Sequence, residues 1–258
     1  DVVAVVTRED SPQGRKRVIT PTPVATVAEE LSVPTIKANR LGAEVAESIA
    51  ELEPDLGVIV AYGGLVREPL LSVQPLGWIN LHFSLLPRWR GAAPVQHAII
   101  AGDEVTGAAV FQLVPELDAG DVFATVNRRI EAHETAGRVL EDLAESGAEL
   151  LVSTVDALAE GTAVATPQSG EPSFAPKLTL DDARVDWSAP AESIHDRVRG
   201  VTPEPGAFTT VDGARLKIHS AAIAHGVARL PHGEIRLHDG RVVVGTASVP
   251  LELIEVQP

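Results

Sequence analysis

The chain has 258 residues, 45% of them hydrophobic, enough for one large domain or two smaller ones with separate cores. A formal net charge of −15 argues against unspecific nucleic-acid binding, which needs an excess of Lys and Arg to neutralise phosphates. The absence of cysteine excludes disulfides, thiolate metal sites and cysteine nucleophiles, and no apolar run approaches the roughly 18–20 residues that span a bilayer, so a cytoplasmic protein without membrane association is expected.

The chain opens on an apolar run, Val2 to Val6, of the length of a buried parallel strand, and it contains no methionine, which predicts a preceding segment. Turn formers and three adjacent cations follow, Gly14-Arg15-Lys16-Arg17 and then Pro21-Thr22-Pro23, predicting a long, exposed, basic loop. Its charge is unusual for its setting: residues before Lys177 hold 12 basic against 25 acidic side chains, whereas the remainder holds 9 against 11.

Next come a helix over Val24 to Leu31, a short strand over Val33 to Ile36 and a helix over Gly42 to Leu52. Leu56 to Tyr62 continues as an apolar strand, Glu68 to Leu71 as a short helix, and Leu76 to His82 as another strand. Alternation of this kind predicts an open, mostly parallel, Rossmann-like α/β sheet with helices on both faces. After His82, Pro87 and Gly91 break regular structure, and Pro94 suits the first turn of a helix reaching Ala101. Thr106 to Val114 and Val122 to Ile130 read as antiparallel strands joined by residues 115 to 121, and Thr135 to Ala159 as a long helix with one apolar face.

Residues 161 to 176 have no sustained period and read as a linker between a domain at 1–160 and a second at 177–258. In the second, a helix at Ala191 to Arg199 precedes short alternating segments separated by Asp212-Gly213 and Asp239-Gly240, which predict hairpins and a small C-terminal β-barrel of the OB type.

Three polar residues stand out by position. Asn80 and His82 share one face of an apolar strand at its carboxyl end, roughly 6.5 to 7 Å apart, where ligands bind in open α/β sheets. Asp118 lies in the loop between the two later strands. A donor amide, an imidazole and a carboxylate able to orient it form an apparatus for stabilising an oxyanion and moving a proton. No His-Glu-x-x-His, Walker loop or Gly-x-Ser-x-Gly elbow is found, so a catalytic metal, NTPase or serine-hydrolase reading fits less well.

Ser84-Leu85-Leu86-Pro87-Arg88-Trp89-Arg90-Gly91-Ala92-Ala93-Pro94, Leu117-Asp118-Ala119-Gly120-Asp121, Val60-Ala61-Tyr62-Gly63, the Gly14-Arg15 loop leading to Pro21-Thr22-Pro23-Val24, and Ala183-Arg184-Val185-Asp186-Trp187 together resemble the methionyl-tRNA formyltransferase family over nearly the whole chain. The resemblance implies formyl transfer from 10-formyltetrahydrofolate to the α-amino group of methionine on initiator tRNA; a monomer is the default expectation, and no metal is expected because the chain lacks a compact ligand cluster. It places the catalytic roles on Asn80, His82 and Asp118; the chemistry of these types leads to the expectation that a cationic His82 and the Asn80 amide donate to the formyl oxygen, while Asp118 orients His82 and takes the proton the amine loses. Folate contacts fall on Ser84, Leu85, Leu86, Pro87, Val60, Ala61, Ala119, Gly120 and Asp121, while Arg88 and Arg90 could equally brace the loop. Contacts to the tRNA acceptor stem fall on Arg15, Lys16 and Arg17. It also implies a first strand and helix before Asp1 and a further element after Pro258. Phe83 stands where the family usually has Gly, so a reshaped loop beside His82 is expected; Lys16 stands where it has Gly and Val18 where it has Lys, so altered details of tRNA contact are expected. Two other readings stay open: a related formyl-folate enzyme acting on a nucleotide sugar or water, and a noncatalytic tRNA- or folate-binding module, which would not need the three polar residues together.

Overall fold

A computed structural model describes residues 1–14 and 16–258. Its elements in chain order are β1 (Val5–Thr7), β2 (Ser11–Gln13), β3 (Val18–Thr20), α1 (Pro23–Glu30), β4 (Thr35–Lys37), α2 (Ala43–Ala50), β5 (Gly57–Val60), α3 (Leu70–Val73), β6 (Trp78–His82), β7 (Arg90–Gly91), α4 (Pro94–Ile100), β8 (Val105–Gln112), β9 (Val122–Arg129), α5 (Ala136–Ala159), β10 (Phe174–Ala175), α6 (Ala191–Gly200), β11 (Phe208–Val211), β12 (Ala214–Ile223), β13 (Ile235–His238), β14 (Arg241–Val244) and β15 (Leu251–Gln257).

Helix starts follow local chemistry. Thr22 caps α1 by accepting from the Ala25 amide, with Pro23 in the first turn, where its missing N–H costs nothing. Thr135 does the same for the 24-residue α5 through the Arg138 amide. The parallel pairs β1–β4 and β5–β6 form the first part of the α/β unit, and β8 and β9 extend β6 antiparallel in the order β5-β6-β8-β9.

Because side chains alternate along β6, its two faces meet different partners. Ile79 and Leu81 join Val110, Val139 and Leu143 in a core beneath α5. Trp78 faces the other way, packs with Ile49 of α2 and Leu70 of α3, and donates its indole N–H to the Leu70 carbonyl at 2.8 Å. Helices therefore cover both faces, and Asn80 and His82 share the parity of Trp78.

The second unit is a curled, five-stranded antiparallel sheet, β11-β12-β15-β14-β13, whose β12–β15 register shifts around Ser220. Such irregularities bend a sheet toward a barrel. Its core joins Val185, Ile194 and Val198 to Ile218 and Leu251. Both Asp-Gly turns have positive φ at each central residue, 49° and 81° for Asp212-Gly213 and 49° and 77° for Asp239-Gly240, as a type I′ hairpin requires. Helix α6 crosses α4 closely at Gly200, where a Cβ would lie 2.9 Å from the Gln96 carbonyl oxygen.

Two expectations are corrected. The basic loop contains a hairpin, since β2 and β3 pair antiparallel from Ser11↔Thr20 to Gln13↔Val18. Residues 161–176 are more than a linker: Thr166 exchanges two 2.9 Å backbone bonds with Val122, and β10 pairs parallel with β7.

Candidate active site

Strand β6 delivers two polar side chains into the space above the sheet because it is fixed on both edges, with Asn80 between Ile59 of β5 and Phe111 of β8 and His82 opposite Ala109. The Asn80 carboxamide is half-buried and makes no side-chain hydrogen bond among the described residues, so its two N–H donors are uncommitted. His82 is 6% exposed and stands edge-on to Phe111, ring centroids 6.2 Å apart.

The imidazole is held by a hydrogen bond at one nitrogen and faces a carboxylate with the other. Nε2 lies 2.9 Å from the Trp89 carbonyl oxygen, which can only accept, so Nε2 carries the proton. Nδ1 faces Asp118 Oδ2 at 3.9 Å. Burial pushes the His82 pKa below its ordinary value, against the opposing pull of the Asp118 carboxylate and the bond to Trp89. A lowered pKa favours the neutral ring, and with the proton on Nε2 it is the Nδ1 lone pair that faces Asp118. This corrects the expectation of a cationic His82: too little water reaches the ring to favour its charged form, and the carboxylate stands beyond hydrogen-bond range.

Asp118 comes from the β8–β9 loop with φ 47°, a left-handed conformation uncommon for a residue with a Cβ. Its Oδ2 accepts the Gly91 amide at 2.7 Å, which ties it to the loop after His82. The same turn needs a glycine two residues on, since a Cβ at Gly120 would collide with the Gln112 carbonyl. The structure thus brings Asn80, His82 and Asp118 together.

The expected folate residues fall into two groups. Ser84 is fully buried and donates to the Arg88 carbonyl at 2.6 Å, and Leu85 lies over Gly107 of β8, so these two side chains build the loop. Pro87 is buried and Leu86 half-buried. Val60, paired with Leu81, and Ala61 are exposed at the neighbouring strand end; Ala119 is half-buried, Gly120 buried and Asp121 exposed. Val60 and Leu117 are exposed apolar residues at the neighbouring strand end and in the β8–β9 loop. No group of described residues is placed to hold a metal ion.

Arg88 and Arg90 brace the loop. Arg88 makes two 2.8 Å bonds to Asp103, which also accepts the Trp89 indole at 2.7 Å. Arg90 is 8% exposed and reaches Gln168 and Glu116. Phe83 does not lie beside the His82 ring. It packs with Leu81 against α5, where a Cβ at Gly147 would sit 3.5 Å from its ring, so its position opposite the site removes the expected disturbance. Lys16 and Arg17 are exposed at the turn between β2 and β3, and Arg15 lies outside the described residues. Gln168 and Ser173 escape the sequence reading, because a stretch rich in turn formers gives no sign of which carbonyls its side chains will meet.

The formyl transferase family profile matches residues 1–155, and the formyl transferase C-terminal domain profile matches residues 177–258. A methionyl-tRNA formyltransferase of Leifsonia xyli subsp. xyli is 62% identical over the whole chain and 85% of its own length. Among solved structures, HypX from Aquifex aeolicus in complex with tetrahydrofolic acid superposes with a TM-score of 0.67 at 17% identity, covering 99% of this chain and 44% of that one. Methionyl-tRNA formyltransferase from Clostridium thermocellum superposes with a TM-score of 0.61 at 16% identity, covering 87% and 95%. Those two likenesses show the shared fold, and the identity to the Leifsonia enzyme over the whole of this chain shows more: the chain belongs to the methionyl-tRNA formyltransferase family.

Proposed function

We propose that this protein transfers the formyl group of 10-formyltetrahydrofolate to the α-amino group of methionine carried by initiator tRNA, the modification that prepares the tRNA for translation initiation. The observation that carries the chemistry is the strand-end pair beside Asp118: an uncommitted carboxamide and a neutral imidazole with an open Nδ1. The acceptor is supported by 62% identity over the whole chain to a methionyl-tRNA formyltransferase.

When bound, the folate supplies an activated formyl group. Asn80 donates an N–H to the formyl oxygen and holds the negative charge that develops there as the amine attacks. His82 Nδ1 takes the proton the amine loses, directly or through one water, and the imidazolium so formed is stabilised by Asp118. The same proton returns from Nδ1 to the departing folate nitrogen. Burial assists this cycle, since a ring that resists protonation gives its proton back readily. Leu86, Pro87, Val60, Ala61, Ala119, Gly120 and Asp121 form the folate surface, with Ser84 and Leu85 shaping its loop from beneath.

In this reading residues 1–160 form the formyl-transfer unit, 161–176 join the two parts, and the barrel-like unit at 177–258 binds tRNA. Arg15, Lys16 and Arg17 supply positive charge to the acceptor stem from an otherwise acidic part of the chain. Asn80, His82 and Asp118 come from one chain, so a monomer suffices. No described helix is long and apolar enough to cross a membrane, and a cytoplasmic site of action matches the two substrates.

The reading is tested by supplying 10-formyltetrahydrofolate with initiator Met-tRNA, with an amino-sugar nucleotide, or with water alone. Tetrahydrofolate is expected only with the tRNA, together with formyl-methionyl-tRNA. Release with the sugar nucleotide or water, and none with tRNA, would assign the chain a different acceptor.

A further inference from the structure

The segment joining the two units is pinned on both sides of Gln168. Before it, Thr166 pairs with Val122. After it, the Ser173 carbonyl accepts the Arg90 amide at 2.8 Å, the Ser173 hydroxyl accepts the Trp89 amide at 2.9 Å, and the Ala175 carbonyl accepts the Ala93 amide at 3.1 Å. Gln168 is thereby fixed between the two loops that supply the site.

Its carboxamide is fully used. Nε2 donates to the carbonyls of Asp118 at 2.8 Å and Gly120 at 2.9 Å. Oε1 accepts from Arg90 Nη2 at 2.7 Å and Nε at 3.3 Å. A primary amide has two donor hydrogens and two acceptor lone pairs, so each finds a partner. The geometry also answers two needs: the buried Arg90 guanidinium requires an acceptor, and Asp118 in its left-handed conformation requires a neighbour to hold it. Arg90 precedes Gly91, whose amide binds the Asp118 carboxylate, so Gln168 closes a ring through Arg90, Gly91 and Asp118.

We infer that Gln168 is a positioning residue for formyl transfer: by spanning the Arg90 guanidinium and the Asp118 and Gly120 carbonyls, it holds the Asp118 carboxylate at His82. The inference rests on the roles proposed above for Asn80, His82 and Asp118. Gln168 touches no reacting atom and acts through Asp118.

The test uses the full chain, 10-formyltetrahydrofolate and initiator Met-tRNA, with Gln168→Met, Gln168→Glu, Asp118→Asn and the double variant Asp118→Asn/Gln168→Met. Methionine matches the length of glutamine without its hydrogen bonds, and glutamate keeps an acceptor for Arg90 while losing both donors. Displacing a catalytic group by about 1 Å costs up to about 100-fold, so Gln168→Met and Gln168→Glu should lower kcat about 10- to 100-fold with KM for tRNA nearly unchanged. The double variant should be no slower than Asp118→Asn alone, because both changes remove one function. Wild-type kcat in Gln168→Met, a rise in KM alone, or losses that multiply in the double variant would overturn the inference. If Gln168→Met loses its cooperative thermal transition, Gln168→Glu carries the test, since Arg90 stays paired. If Asp118→Asn transfers at the wild-type rate, the reading of the site fails, a result distinct from failure at Gln168.

Discussion

At His82, burial and charge oppose each other, and burial prevails. The folded-state pKa lies below the unfolded value of about 6.5, so on acidification the unfolded chain takes up the proton first. Stability from this residue is complete above that value and is lost as pH falls toward the folded-state pKa. Urea unfolding followed from pH 7 to pH 5 should show a decline that His82→Gln, which cannot take up the proton, makes shallower; equal slopes would contradict a depressed His82. Asp118→Asn removes the carboxylate 3.9 Å from Nδ1 that pulls the pKa upward, so the His82 titration, followed by NMR of the ring protons, should move to lower pH. An unmoved midpoint would dissolve the pairing. The common face of Asn80 and His82 follows from the period of a strand and is readable in the chain. Neutrality of the ring depends on how deeply Phe111 and the Trp89 loop enclose it, which no local pattern records.

Among the elements, β6 decides the site because its two faces carry different tasks. Phe83 illustrates this. Judged from the sequence it adjoins His82 and threatens the site, yet continued alternation sends it with Leu81 toward α5. Phe83→Ala should therefore lower unfolding free energy by about 2 kcal/mol, less than the 3–5 typical of a fully buried Phe, while the transfer rate per folded molecule stays within a few-fold. Unfolding curves and a transfer assay on the same samples decide it, and a large loss of rate at unchanged stability would place Phe83 in the site after all. Helix α5 and the Asp-Gly hairpins are visible in advance because period and turn chemistry are local. The hairpin at residues 11–20 and the tethering of residues 161–176 are not, since both rest on backbone partners that carry no sequence signature.

Across the molecule, charge separates the substrates. Residues before Lys177 hold 25 acidic side chains against 12 basic, so a polyanion needs a local landing point, and the turn between β2 and β3 offers Lys16 and Arg17 exposed. Replacing Arg15, Lys16 and Arg17 by Ala should raise KM for initiator tRNA, spare folate binding, and reduce the slope of log affinity against log salt by about 0.7 to 0.9 for each phosphate that is no longer neutralised. Unchanged affinity and slope would move the tRNA-binding surface elsewhere. The joining segment gives the molecule a further property, because the chain that leads to the C-terminal unit also braces the loops around Asp118. In the proposed site, transfer depends on the charge that develops at the formyl oxygen and on the Asn80 carboxamide that meets it. The most direct measurement is the single-turnover rate of formyl transfer to initiator Met-tRNA by Asn80→Ala, with both substrates saturating. Loss of one such donor costs about 10² to 10³ in rate, and that is the fall predicted for a variant that still folds and binds both substrates; a rate near that of the wild type would contradict the proposed site.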